Sequence, residues 1–256
     1  MKIIGLIPSR LNSSRLPNKA LLNIQGLPLI VHVLKRARLS KLLHEVYVCT
    51  DSKEIAQVVE QHGGKTIMTK NTHVNGTERI AEAAQTLDAD FYVDIQGDEP
   101  LINPHDIDAV IEAHIKNPDW EILLPSQPIT DASSPNIVKL VHSVNMRVMY
   151  LSRSLIPFNF RVGSDQYLKH LSIISFNPHA LEKFSKLKQT QLEQIEDIEL
   201  LRALEHDFYI GTIILKGNSF SIDVRDDYLR AEIQMKDDPI FKLYSPNVKE
   251  IYETNQ

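Results

Sequence analysis

A single cysteine, Cys49, occurs in 256 residues. An intramolecular disulfide is therefore impossible, and one thiol in so long a chain fits a reducing compartment. Zinc ligation by C-x-x-C goes with it, and the ten dispersed histidines form no H-E-x-x-H. Positive charge is not in excess. Lys and Arg number 28 against 33 Asp and Glu, for a formal net charge of −5. A general nucleic-acid binder gains from a basic face, so that class is disfavoured. No apolar run approaches the roughly 20 residues of a membrane-spanning helix. The stretch Ile3 to Pro8 is too short for the apolar part of a secretory signal and carries no cleavage-site pattern, so a cytoplasmic location is expected. Neither G-x-x-x-x-G-K-S/T nor G-x-G-x-x-G occurs, which removes the P-loop and the dinucleotide fingerprint. No repeat, low-complexity tract or Gly/Ser-rich joint divides the chain.

What is present is ordinary globular composition, 43% hydrophobic and 24% charged, in a chain long enough to bury a core without staples. Short apolar runs at Lys2–Ile7, Glu45–Cys49, Lys65–Met68 and Phe91–Ile95 predict strands. Between them, helical spacing predicts helices over Pro28–Leu39, from a Thr50-Asp51 cap to about His62, over Thr77–Leu87 and then over Pro104–Lys116. This alternation predicts an α/β fold, a mainly parallel sheet with helices on both faces. Ligands of such sheets sit beyond the carboxyl ends of the strands, so the loops after Ile7, Cys49, Met68 and Ile95 are expected to share one rim. The second half is less regular. Strands are predicted at Ile137–Val141, Asn145–Leu151, Leu171–Phe176 and Phe208–Leu215. Helices are predicted at Gln191–Glu205, with Leu192, Ile195, Ile198, Leu201 and Leu204 on one stripe, and at Arg225–Lys236. This half is expected to add a smaller mixed α/β lobe, at roughly 135–210, to one domain spanning the chain.

The strongest chemical signal follows the first strand. Pro8-Ser9-Arg10-Leu11-Asn12-Ser13-Ser14-Arg15-Leu16-Pro17-Asn18-Lys19 sets three cations and three serines in one strand-end loop stiffened by prolines. Guanidinium forks and backbone N–H groups there could wrap a triphosphate. A basic loop alone is more often a solvated turn; its place at the strand end favours a site. Asp98, just past a strand end and beside Gly97, and Asp223, after Phe220 and Ile222, are hard oxygen donors of the kind magnesium shares with nucleotide phosphates. A lone aspartate after a strand is more often a turn or cap residue.

The loop resembles the nucleotide-binding signature P-x-R-x-x-S-x-R-L-P-x-K of the 3-deoxy-manno-octulosonate (Kdo) cytidylyltransferases. Further matches follow in order: His73-Val74-Asn75-Gly76-Thr77-Glu78-Arg79, with Asn75 in a serine place; Gln96-Gly97-Asp98-Glu99-Pro100; Pro135-Asn136 with Val138-Lys139; Arg153 with Ile156-Pro157; His170-Leu171; Leu192-Glu193 through Arg202; and Ile222-Asp223. The resemblance implies a homodimeric, magnesium-dependent enzyme, with one or two ions, that transfers CMP from CTP to the C2 hydroxyl of a sugar acid. The product serves lipopolysaccharide or capsule synthesis. It further implies that Arg10, Arg15 and Lys19 hold the triphosphate, that Asp98 and Asp223 hold the metal, and that Thr77, Arg79 and Gln96 surround the cytosine end. For Arg79 the ordinary alternative is a surface ion pair with Glu78 or Glu82. His170 and Glu199, with Arg153 as a further candidate, match positions that face the sugar.

Three departures stand on that side. Ile174 and Leu200 replace a tyrosine and a glutamine of the related enzymes, and the segment between Pro157 and His170 is shortened to one that includes Phe158-Asn159-Phe160-Arg161, where Arg161 is a candidate cation. Asp197 stands where an apolar residue is common, one predicted helical turn from Glu193. Two acceptors therefore remain open: Kdo, or its 8-amino-3,8-dideoxy analogue, whose ammonium could pair with an added carboxylate. A sugar-1-phosphate nucleotidyltransferase and a non-catalytic nucleotide-binding protein are the competing classes. The former usually carries glycines where Leu11, Asn12 and Ser13 stand here.

Overall fold

The computed structural model describes residues 1–11, 16–161, 166–217 and 219–245. Along the chain come β1 (Ile3–Ser9), a hairpin of β2 (Asn23–Ile24) and β3 (Leu27–Pro28), α1 (Leu29–Ala37), β4 (Glu45–Thr50), α2 (Lys53–Gln61), β5 (Lys65–Met68), α3 (Gly76–Ala84), β6 (Phe91–Ile95) and α4 (Pro104–Lys116). All seven residues of β1 are buried. That is the burial of a central parallel strand covered on both faces, and it explains a continuous apolar run rather than an alternation. β1 pairs in parallel with β4 and β6, and β5 extends the sheet in parallel beyond β4.

The second half supplies β7 (Ile122–Leu123), β8 (Ser126–Ile129), β9 (Lys139–His142), β10 (Val148–Ser152), β11 (Tyr167–His170), β12 (Ile173–Phe176), α5 (Pro178–Ser185), α6 (Gln191–Glu196), α7 (Leu200–Glu205), β13 (Ile210–Gly211) and α8 (Arg225–Asp237). The main sheet has the order β13-β7-β12-β6-β1-β4-β5, and β12 runs antiparallel to both its neighbours. Leu29, Ile30, Val33 and Leu34 of α1 join Ile107, Val110 and Ile111 of α4 in the core on one face. Ile80 of α3, Phe184 of α5 and Leu201 of α7 belong to the core on the other. A second, four-stranded sheet, β10-β9-β11-β8, forms the lobe. It begins earlier than the expected segment, at Ser126, while β12 and β13 return to the main sheet. Lys139 is fully buried in this sheet, its ammonium donating to the carbonyls of Ser134, Ile137 and Arg153.

Two expectations are corrected. The helix predicted over Gln191–Glu205 is broken into α6 and α7 by Asp197, whose backbone is left-handed at φ 52 and ψ 49. Arg153 holds the break. Its Nε donates to Glu196 O at 2.6 Å and its Nη2 to Asp197 O at 2.8 Å, serving carbonyls that a continuous helix would have satisfied itself. Ile195, placed on the apolar stripe by its spacing, is consequently 69% exposed. The strand predicted over Phe208–Leu215 reduces to Ile210–Gly211 with a further bridge at Ile214. Among the described residues no helix is long and apolar enough to cross a membrane.

Candidate active site

The carboxyl ends of β1, β4, β5 and β6 form one rim, as the alternation requires. The end of β6 approaches the end of β1 so closely that a Cβ on Gly97 would lie 2.5 Å from Pro8 O. Gly76, opening α3, is similarly tight, with a Cβ placed 3.1 Å from Pro8 Cγ and 3.3 Å from Gln96 Nε2. At Gly97 only glycine leaves room for these backbones to converge, whereas at Gly76 the neighbouring side chains would have to give by a few tenths of an ångström. Asn75 caps α3 by accepting from Glu78 N at 2.8 Å, so it performs the task of the serine it replaces.

At this rim Lys19 bridges the two distant aspartates. Its Nζ lies 2.7 Å from Asp98 Oδ2 and 3.5 Å from Asp223 Oδ1. Backbone and buried side chains hold that convergence. Ile222 N donates to Asp98 O at 3.0 Å, and the buried Glu99 accepts from Ser219 Oγ at 2.5 Å and Ser221 Oγ at 3.4 Å. Asp227 accepts from the backbone N–H groups of Asp223 and Val224, fixing the turn into α8. Arg10, Lys19, Arg79, Gln96, Asp98 and Asp223 line one cleft. Arg15 lies outside the described residues.

Arg79 is not the surface ion pair that spacing alone offered. It is buried, and its Nη1 donates to Thr69 Oγ1 at 2.6 Å and Lys70 O at 3.3 Å, with Asp51 Oδ1 at 3.4 Å. It thus ties the ends of β4 and β5 to the cleft, while Glu78 pairs with Arg202 and Glu82 with His73.

Beside the cleft lies a second hollow, lined by Asn75, Glu193, Asp197 and Glu199 among others, and Asn75 lines both. Thr77 is buried behind it and donates to Glu199 Oε1 at 2.6 Å. The shared helical face expected of Glu193 and Asp197 does not form. Glu193 is buried in a two-pronged pair with Arg202, at 2.5 and 2.8 Å, whereas Asp197 lies past the end of α6 with its side chain 98% exposed. Arg153 is spent on backbone carbonyls and lines neither hollow. His170 has an inaccessible Nδ1 without a partner, and burial pushes its pKa down to about 4, so the ring is neutral near pH 7. Arg161 is exposed.

One residue escaped the reading of the sequence. Asp94, in the middle of β6, is fully buried, and Gln96 Nε2 donates to its Oδ2 at 2.9 Å. Burial, and then the charge of Glu199, raises its pKa well above the ordinary value. The available signal was an acidic residue inside an otherwise apolar strand, Phe91–Ile95.

Comparison with known proteins identifies the family. The cytidylyltransferase family model matches residues 4–214. The 3-deoxy-manno-octulosonate cytidylyltransferase of Syntrophobacter fumaroxidans is 39% identical, over 89% of this chain and 94% of its own. The 8-amino-3,8-dideoxy-manno-octulosonate cytidylyltransferase of Shewanella amazonensis is 37% identical, over 93% of this chain and 100% of its own. A solved structure of CMP:2-keto-3-deoxy-manno-octonic acid synthetase complexed with CTP superimposes with a TM-score of 0.89 at 34% identity, covering 92% of this chain and 99% of that one. A cleft of cations and paired carboxylates on a fold shared over nearly the whole chain thus places the protein in the 3-deoxy-manno-octulosonate cytidylyltransferase family, as a cytidylyltransferase.

Proposed function

We propose that the protein transfers CMP from CTP to the C2 hydroxyl of a Kdo-type sugar acid, releasing pyrophosphate, and so supplies activated sugar for lipopolysaccharide or capsule synthesis. The observation that carries this reading is the meeting of Asp98 and Asp223 about Lys19 at the mouth of the Arg10 loop. The C2 oxygen forms a bond to the α-phosphorus as the bond from that phosphorus to the bridging oxygen breaks, and pyrophosphate departs with the electron pair. The hydroxyl proton passes to solvent or to a carboxylate. Such chemistry depends on alignment and charge neutralisation more than on covalent groups. Arg10 and Lys19 receive the departing phosphates, with Arg15 in the same role by resemblance. Arg79 and Gln96 stand at the cytosine end, where the Gln96 amide carries both a donor and an acceptor for a pyrimidine edge.

The donor set fits magnesium. Asp98 and Asp223 are hard oxygen donors already arranged about one positive charge, the Lys19 ammonium. Among the described residues no three His, Cys, Asp or Glu side chains converge, so Asp98 and Asp223 are the side chains that would hold the ion, alongside CTP. When bound, magnesium supplies neutralisation of phosphate charge and acidifies the attacking hydroxyl. One or two ions are compatible with two carboxylates.

Homodimerisation is part of this reading. Its support is the apolar surface of the lobe, where Phe158 and Phe160 are 80% and 81% exposed and Met149 63%. The cytoplasm is the assigned compartment, because CTP is made there and Cys49 has no disulfide partner. Pyrophosphate release with each NTP, magnesium and either free sugar acid or a sugar 1-phosphate tests the function. Release with CTP and a 2-keto sugar acid alone is expected; equal release with sugar 1-phosphates would defeat it.

A further inference from the structure

The wall between the two hollows is the turn that opens α3. His73, Asn75 and Gly76 line the nucleotide cleft, and Val74 and Asn75 line the adjoining hollow. This turn is closed on itself. Asn75 Oδ1 accepts from Glu78 N at 2.8 Å, and Glu78 Oε2 reaches back to accept from Val74 N at 3.3 Å. The pattern is a capping box displaced by one residue. The other carboxylate oxygen, Glu78 Oε1, accepts from Arg202 Nη1 at 3.3 Å.

Arg202 reaches the turn from α7. It is 1% exposed, and its guanidinium lies over the Phe184 ring at 4.8 Å. Nε and Nη2 hold Glu193 of α6, which leaves Nη1 for Glu78 and Leu187 O. This grip depends on the break at Asp197. Glu193 and Arg202 are nine residues apart. In one straight helix such residues are separated by about 13.5 Å along the axis and stand on opposite faces. The left-handed Asp197, held by Arg153, redirects the chain between α6 and α7 and lets the pair form. From the same junction, Glu199 Oε1 accepts from Thr77 Oγ1 at 2.6 Å. Two tethers thus run from the α6–α7 pair to Thr77 and Glu78, the residues just before Arg79 of the cleft.

Neither Arg202 nor Glu78 lines the cleft. Building on the cytidylyl-transfer reading, we infer that Arg202 is a positioning residue for the nucleotide: through Glu78 it fixes the turn that carries Asn75, Gly76 and Arg79 to the cleft. A buried ion pair with Glu193 alone would need no third partner. The planar guanidinium takes both Glu193 oxygens along one edge and still presents donors to Glu78, which a lysine ammonium cannot do at once.

Glu78→Gln breaks the tether with little change of shape. Its backbone N–H still caps Asn75, but one amide oxygen cannot serve both Arg202 and Val74, and the amide N–H groups then face a donor. CTP affinity by calorimetry, with kcat and KM for CTP, is compared in the native enzyme, Glu78→Gln, Arg202→Lys and the double variant. Each single variant is expected to weaken CTP binding and raise its KM about tenfold. Each should leave kcat within about threefold of native, the pattern of lost binding rather than lost chemistry. The double variant is expected to match Arg202→Lys, because both changes act through one contact. Gly26→Ala, in the β2–β3 turn and lining neither hollow, is the control for a mere loss of stability: Tm falls and CTP affinity does not. An unmoved affinity and KM in folded Glu78→Gln overturns the inference, as does a loss confined to kcat or an additive double variant. Should one single variant fail to fold, the other decides by the same criteria. Native enzyme that binds and turns over CTP beside unmoved variants leaves the transfer reading standing; native enzyme that binds no CTP overturns both.

Discussion

Replacing Gly97 by alanine tests whether the spacing of the two strand ends sets the rate. The added Cβ would lie 2.5 Å from Pro8 O, where ordinary contact begins at 3.4 Å, so the ends of β1 and β6 must separate by 3.4 − 2.5, about 0.9 Å. The obstacle is a backbone oxygen on a fully buried strand, not the end of a flexible side chain. Moving it shifts Arg10 relative to Asp98, two residues that line the cleft proposed to hold CTP. A misplacement of about 1 Å at a reacting centre costs on the order of 10²-fold in rate, or about 2.7 kcal/mol of barrier. Overpacking of this kind also lowers stability by about 1–3 kcal/mol, a few degrees of Tm for a chain of this size. Gly26→Ala is the control. Its φ of +91 makes alanine strained, yet nothing lies within 4 Å of its Cβ and it stands in the β2–β3 turn. It is expected to lower Tm while leaving pyrophosphate release unchanged. Pyrophosphate release at saturating magnesium, alongside thermal melts, reads both. A Gly97→Ala enzyme within threefold of native kcat/KM would refute the claim that this contact positions the chemistry.

Asp98→Asn and Asp223→Asn are each expected to lower kcat about 10²–10³-fold, the usual range for losing one charge-stabilising group. Each should also raise the magnesium concentration needed for half-maximal rate; an unmoved magnesium titration would remove that residue from the metal site. Asp94→Asn is a stability test. A raised folded pKa means that protonated Asp94 is favoured in the fold, so its contribution is present below the ordinary value of 3.8 and is lost as pH rises through the folded value. Relative to native protein, the variant should gain Tm progressively as pH rises above about 4, and a difference independent of pH would contradict this. His32 runs the other way. Burial first, with the Arg36 charge adding to it, pushes its pKa down to about 4, with its ring between Ile24 O and Tyr244 Oη. The unfolded chain takes up the proton first, so stability should fall by up to about 3 kcal/mol as pH drops from 6.5 towards 4. Urea titrations should show that fall shrinking in His32→Asn.

The first half of the fold was legible because its signals are local. The apolar runs at 65–68 and 91–95 coincide with β5 and β6, and Pro104–Lys116 coincides with α4. Here the helical period, the capping Asn103 and the proline at the first turn all agree. The break at Asp197 was not legible, because the sequence there keeps a helical stripe through Ile198 and Leu201. What ends α6 is Arg153, more than forty residues away, supplying donors to its last carbonyls. A tertiary contact overrode a local pattern.

The site divides in the same way. Arg10, Lys19 and the two aspartates are surface-seeking residues at strand ends, and a ligand is the economical reason for gathering them about one cleft. The side chains of Lys19, Asp98 and Asp223 meet where the main chain brings the aspartates together, through the bond from Ile222 N to Asp98 O. Asp94 carries the opposite signature. Within Phe91–Ile95 its one local signal is an acidic side chain in an otherwise apolar strand, which marks it as unusual without giving it a role. Its surroundings appear only when β12 returns antiparallel and sets Ile174 across from it. Ile174, which the sequence shows only as a departure from related enzymes, then lies on the sheet face where a carboxylate oxygen lacks a donor, and Leu200 of α7 belongs to the apolar cluster on that side.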